Sequence, residues 1–79
     1  LMAQYTVTWR DQGDDFMITT VELGDAIDPQ QVSTNEWADF AHIAENRAAG
    51  IPQDEWGPPP SETGYDLISV VEGVPNFIY

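Results

Sequence analysis

Not one cysteine occurs in this chain of 79 residues, and at such a length that absence governs which folds are open. A domain of this size hides only about 60% of its unfolded surface. With no disulfide and no thiolate metal site to reinforce it, the apolar residues must close a single core by themselves. The expected scale is one sheet with one helix. The material for it is present, since 42% of the residues are hydrophobic and nine are aromatic, too many for a disordered acidic segment.

Residues 3–10, AQYTVTWR, alternate with a period of two: Ala3, Tyr5, Val7 and Trp9 fall on one face, and Gln4, Thr6, Thr8 and Arg10 on the other. This is the pattern of a half-buried strand. The stretch Asp11-Gln12-Gly13-Asp14 reads as a hairpin turn, with Gly13 expected to supply a positive φ, and a second strand is expected over 15–23. Ser33 and Glu36 fit a capping box, Val32 and Trp37 a hydrophobic staple, and Gly50 followed by Pro52 a stop, which predicts a helix over 34–48. Its apolar stripe is Trp37, Phe40, Ala41, Ala44 and Ala48, with Asn35, Asp39, His42 and Asn46 opposite. Residues 50–64 hold three consecutive prolines and are expected to be a connector rather than regular structure. Residues 65–72, YDLISVVE, form the last strand, and 73–79 a tail or short strand.

The predicted fold is therefore α+β, strand-strand-helix-strand in one domain. One helix covers one face of an antiparallel or mixed sheet of three strands, or four if the tail joins. Continuous alternation puts Met17, Val21, Leu23, Tyr65, Leu67 and Val71 under the helix. Phe16, Ile18, Ile68 and Val70 then lie on the far face beside Thr6, Thr8, Glu22, Asp66 and Glu72. One helix cannot cover both faces. The far face is either roofed by the connector and tail or exposed as an apolar patch rimmed by acids, a frequent form of partner site.

Little in the sequence supports catalysis. The lone histidine, His42, falls on the expected solvent side of the helix with no nucleophile placed beside it. Paired carboxylates would need a cleft that a domain of this size scarcely provides. The acidic run Asp11 to Asp15 resembles a calcium loop only superficially. An EF-hand needs its glycine at the sixth position, and here Gly13 is third and a strand follows. No cofactor or metal is expected, and the reading is of a non-enzymatic protein. No apolar run reaches the roughly 18 residues of a membrane span, and the N-terminal residues lack the basic-then-apolar order of a signal peptide, so a cytoplasmic location is expected.

Charge carries the functional reading. Fourteen acids face two arginines, lysine is absent, and the formal net charge is −12. Such a surface repels nucleic acid and anionic membranes and favours cationic partners. In the preferred reading, Asp14, Asp15, Glu22, Asp66 and Glu72 on or beside one sheet face, with Glu36 and Asp39 on a helix flank and Phe16 and Ile18 among them, stand in for the phosphates of DNA or RNA on a basic, nucleic-acid-binding protein. Small acidic phage proteins that block host defence, such as anti-CRISPR and antirestriction proteins, are similar in size, in charge and in lacking enzyme motifs. The likeness is one of composition and implies a host-cell cytoplasmic location. Two other readings stay open: adaptation to high salt, and an interaction or virion accessory module whose apolar face provides the affinity while the acids steer.

Salt separates the second reading from the others. A salt-adapted domain should unfold at ~0.1 M salt and recover only at molar concentration, because there its acids are screened. A mimic or interaction module should melt cooperatively at ~0.1 M salt, followed by circular dichroism; that is the expected result.

Overall fold

A computed structural model describes residues 2–13 and 15–74. Strand β1 (Met2–Asp11) turns into β2 (Phe16–Gly24). Helix α1 (Thr34–Ala48) follows, then a single helical turn, α2 (Pro60–Thr63), and strand β3 (Tyr65–Glu72). The sheet order is β2-β1-β3, with both pairings antiparallel. Strands β2 and β3 consequently run parallel to each other on either side of β1, and α1 makes the crossover that such a pair requires. Among the described residues the sheet has three strands, and the α+β arrangement agrees with the sequence pattern; the tail or short strand expected over 73–79 lies, from residue 75 on, outside the described residues.

The turn between β1 and β2 is held by a side chain. Asp11 Oδ1 accepts from the amides of Gly13 (3.0 Å) and Asp15 (3.1 Å), so the aspartate side chain does the turning. The glycines at positive φ are Gly50, Gly64 and Gly73, so the expectation for Gly13 is corrected.

Helix α1 starts and ends as its sequence dictates. Ser33 Oγ accepts from the Glu36 amide and Glu36 Oε1 from the Ser33 amide, both at 3.1 Å, so two otherwise orphaned donors are satisfied reciprocally. At the other end Gly50, at φ 71°, lets its own amide reach Arg47 O and the Ile51 amide reach Asn46 O, the paired bonds of a Schellman motif.

The core lies between α1 and one sheet face. Tyr5, Val7 and Trp9 from β1, Val21 and Leu23 from β2, and Trp37 and Ala41 from α1 are buried together, with Met17, Val32, Phe40, Ala44, Tyr65, Leu67 and Val70 packed around them. Trp37 stands between Tyr5, 5.3 Å away ring to ring, and Phe40, at 6.4 Å. The buried stripe is rotated from the expected one. Ala38 is fully buried and Ala48 exposed. Asp39, His42 and Asn46, expected in solvent, are half-buried.

The cause is the connector, which is more ordered than its prolines suggested. Pro60 opens α2, where its missing amide costs nothing, and Gly64, at φ 104°, redirects the chain into β3. The turn is pinned to α1 by Asp39, whose two carboxylate oxygens accept from the Ser61 amide (3.1 Å) and hydroxyl (2.8 Å). Tyr65 Oη donates to Asn35 Oδ1 at 2.5 Å. The Pro-rich segment thus runs along the flank of α1 and not over the far sheet face.

A bulge changes the register of β3. Thr8 pairs with Ser69 but Trp9 pairs with Leu67, which makes Ile68 the extra residue. One added residue exchanges the faces of everything beyond it. Val70, opposite Val7, therefore joins the core, and Val71, opposite Thr6, points away from the helix, reversing both expectations. Glu72, opposite Tyr5, falls on the helix side of the sheet and not on the far face.

Trp37→Ala should be the costliest truncation in α1, at about 3–5 kcal/mol, because it removes a buried ring and leaves a cavity between Tyr5 and Phe40. Urea denaturation checks it, and a loss under ~1 kcal/mol would contradict the packing described.

Candidate protein-binding face

The sheet face away from α1 is a grid fixed by the two registers. Across the strands, Phe16, Arg10 and Asp66 make one row, Ile18, Thr8 and Ser69 the next, Thr20, Thr6 and Val71 a third, and Glu22 with Gln4 a fourth. Strands lie about 4.8 Å apart and same-face residues about 6.6 Å apart, so the grid is roughly 10 by 20 Å. Its large apolar side chains stand on the outer strands and are open to solvent: Phe16 is 66% exposed, Ile18 58%, Ile68 52% and Val71 49%. Between them lie the polar side chains of the central strand, Arg10, Thr8, Thr6 and Gln4.

Three contacts shape the rim. Arg10 Nε donates to Asp66 Oδ2 at 3.0 Å, a second bond runs from Nη2 to the same oxygen, and the guanidinium carbon lies 5.8 Å from the Phe16 ring centroid. With side-chain exposures of 39% and 58%, this ion pair adds little stability and chiefly orients its members. Gln4 reaches Glu22 at 3.4 Å. Thr6, although on this face, is buried, and its hydroxyl donates to the Gly73 carbonyl at 2.7 Å. The chain leaving β3 thus covers Thr6 at the centre of its row, while Thr20 and Val71 on either side of it stay exposed.

Of the residues expected at a partner site, Phe16, Ile18, Glu22 and Asp66 come together on this face. Asp15 is exposed at the β1–β2 turn, and Asp14 lies outside the described residues. Glu36 is engaged in the capping box and Asp39 in holding α2, on α1, which lies across the opposite face of the sheet, and Glu72 is on the helix side. The acids form no single row. What the face offers is an apolar pair at each edge with carboxylates beside it.

Sequence reasoning passed over one group. Thr19 alternates into the core between Met17 and Val21, where a hydroxyl must find a partner. It accepts from Trp9 Nε1 at 2.9 Å and donates to Glu45 Oε1 at 2.7 Å. This chain ties both β1 and β2 to the middle of α1. A threonine in an apolar register was the available signal, and Glu45 of α1 is its acceptor.

Among the described residues, no three His, Cys, Asp or Glu side chains form a group that could hold a metal ion, and no helix is long and apolar enough to cross a membrane. No family model, curated protein or solved structure matches the chain.

Thr19→Val keeps shape but strands the Trp9 N–H and removes the donor to Glu45. The expected loss is about 1–3 kcal/mol by urea denaturation, and a neutral result would mean that both groups find other partners.

Proposed function

We propose that this protein is a non-enzymatic binding module that docks on the basic, nucleic-acid-binding surface of a second protein and keeps DNA or RNA from it, as an anti-CRISPR or antirestriction protein does. The observation that carries the reading is the open grid, where Phe16, Ile18, Ile68 and Val71 stand exposed beside Glu22 and Asp66 on a chain of net charge −12 without a lysine. The acids draw in a cationic surface over a Debye length of about 10 Å and repel nucleic acid. Burial of the apolar side chains then slows dissociation, at roughly 25 cal/mol for each Å² removed from water. Because Glu36, Asp39 and Asp66 already serve partners within the fold, a regular phosphate-like row is not what the reading needs. A mixed apolar and acidic face suffices, and it unites the mimic with the interaction-module alternative.

Competition tests this reading. Against an array of purified DNA- and RNA-binding proteins, the chain should displace labelled duplex or RNA from at least one and bind neither nucleic acid itself. On that protein, Glu22→Lys with Asp66→Lys should weaken binding by more than about tenfold, and Phe16→Ala with Ile18→Ala by a similar factor that changes little with salt. Asp54→Lys with Glu55→Lys, at exposed positions in the connector, should cost under about threefold. Each reversal adds two units, so both lysine pairs move the formal charge from −12 to −8 and weaken long-range attraction equally. Equal losses would assign binding to bulk charge, and failure to displace nucleic acid from any member would remove the reading.

A further inference from the structure

The outer edge of β2 lacks several of the usual protections. Among the described residues no strand pairs with that side, and β2 runs nine residues in unbroken register with β1 from Phe16 to Gly24. Its sequence, FMITTVELG, contains neither proline nor lysine, and its register shows no bulge, the devices by which exposed edges are ordinarily closed to further pairing. The other edge strand, β3, does carry a bulge, at Ile68.

A groove accompanies the open edge. Between β2 and α1 lies a recess of about 500 Å³ whose walls include Val21, Leu23, Ile27, Phe40, Ile43 and Ala44. Glu22 and Arg47 also border it. A strand added to β2 would alternate its side chains between this recess and the far face, where its neighbours are Phe16, Ile18, Thr20 and Glu22.

We infer that β2 is a strand-addition site for an extended segment of a partner protein in which apolar and basic residues alternate. Backbone bonds to the free edge hold the segment. Its apolar residues enter the groove, and its lysines or arginines lie beside Glu22 and the Phe16 ring, where a cation is favoured by both charge and ring face. Charge decides between this occupant and a second copy of the chain, since pairing β2 with itself would join two bodies of −12 each. The inference rests on the preceding reading only for the positive charge of the partner; the edge and the groove are separate observations.

The test uses the full chain, labelled with ¹⁵N, and two synthetic peptides of roughly eight residues, about the length of one strand. One alternates valine with lysine, and the other has the same composition in two blocks. The alternating peptide should bind about tenfold tighter, slow hydrogen exchange at the outward amides of β2, and shift the resonances of Ile27 and Ile43. Ile43→Asn should lessen its binding by about fivefold. Should that variant fold poorly, Ile27→Asn, in the exposed loop after β2, provides the same test. Equal binding of the two peptides, or no binding of either, would overturn the inference. So would protection centred on Thr8, Ser69 and Val71 in place of the edge, although that outcome would favour the open face as the docking surface. A concentration-dependent dimer in sedimentation, with β2 amides protected before any peptide is added, would assign the edge to self-association and likewise overturn it. The charge-reversal comparison on a nucleic-acid-binding protein is decided independently of each of these outcomes.

Discussion

Trp37 is the contact on which the rest of the molecule depends. Its ring lies between Tyr5 of the central strand and Phe40 one turn further along α1, and it is the largest side chain that the helix gives to the core. In a cysteine-free chain, burial of roughly 1.5–3 kcal/mol for each large apolar side chain is nearly all that opposes the entropy of ordering. The helix must therefore hold its position closely. The capping box at Ser33 and Glu36 sets where it begins, and the Trp9-Thr19-Glu45 chain of hydrogen bonds fixes its middle over the two strands.

From that arrangement comes the asymmetry that gives the surface its character. A single helix of fifteen residues covers one face of a three-stranded sheet and no more. The connector could have roofed the second face, but Asp39 draws α2 onto the flank of α1. Exposed isoleucine, valine and phenylalanine remain on the far side, together with an edge strand that nothing pairs with among the described residues. These features cost solubility, and the net charge of −12 offsets that cost through mutual repulsion. The acid coat and the apolar face thus make sense together: the first keeps apart molecules that the second would join.

The placement of the acids follows the same division of labour. Some serve the fold, as Glu36 caps, Asp39 anchors, Glu45 receives a buried hydroxyl and Asp11 closes a turn. Others, such as Asp54 and Glu55, lie exposed in the connector. The same residue type therefore performs structural and surface roles, and composition alone cannot separate them, because the distinction is whether a donor lies within reach.

Local patterns determined much of this protein. The period-two alternation of residues 3–10 and the punctuation around α1 depend only on neighbours in the chain, so the strand, the helix, its caps and the α+β class were legible before any tertiary contact. So was the placement of Phe16, Ile18, Glu22 and Asp66 on one face, because each lies on the near side of any irregularity. Tertiary structure decided what happens past Ile68. There one bulged residue exchanged Val70 for Val71 and carried Glu72 to the helix side, and no short-range signal marks a bulge whose position is set by the pairing of β1 with β3. It decided the fate of the prolines as well. Their sequence excludes a long helix or strand, but contacts with α1, above all the carboxylate of Asp39 more than twenty residues earlier in the chain, select the side of the molecule on which they lie. Patterns repeat locally because backbone geometry does, whereas the pairing of distant groups is settled by which arrangement buries the most apolar surface with every polar group satisfied.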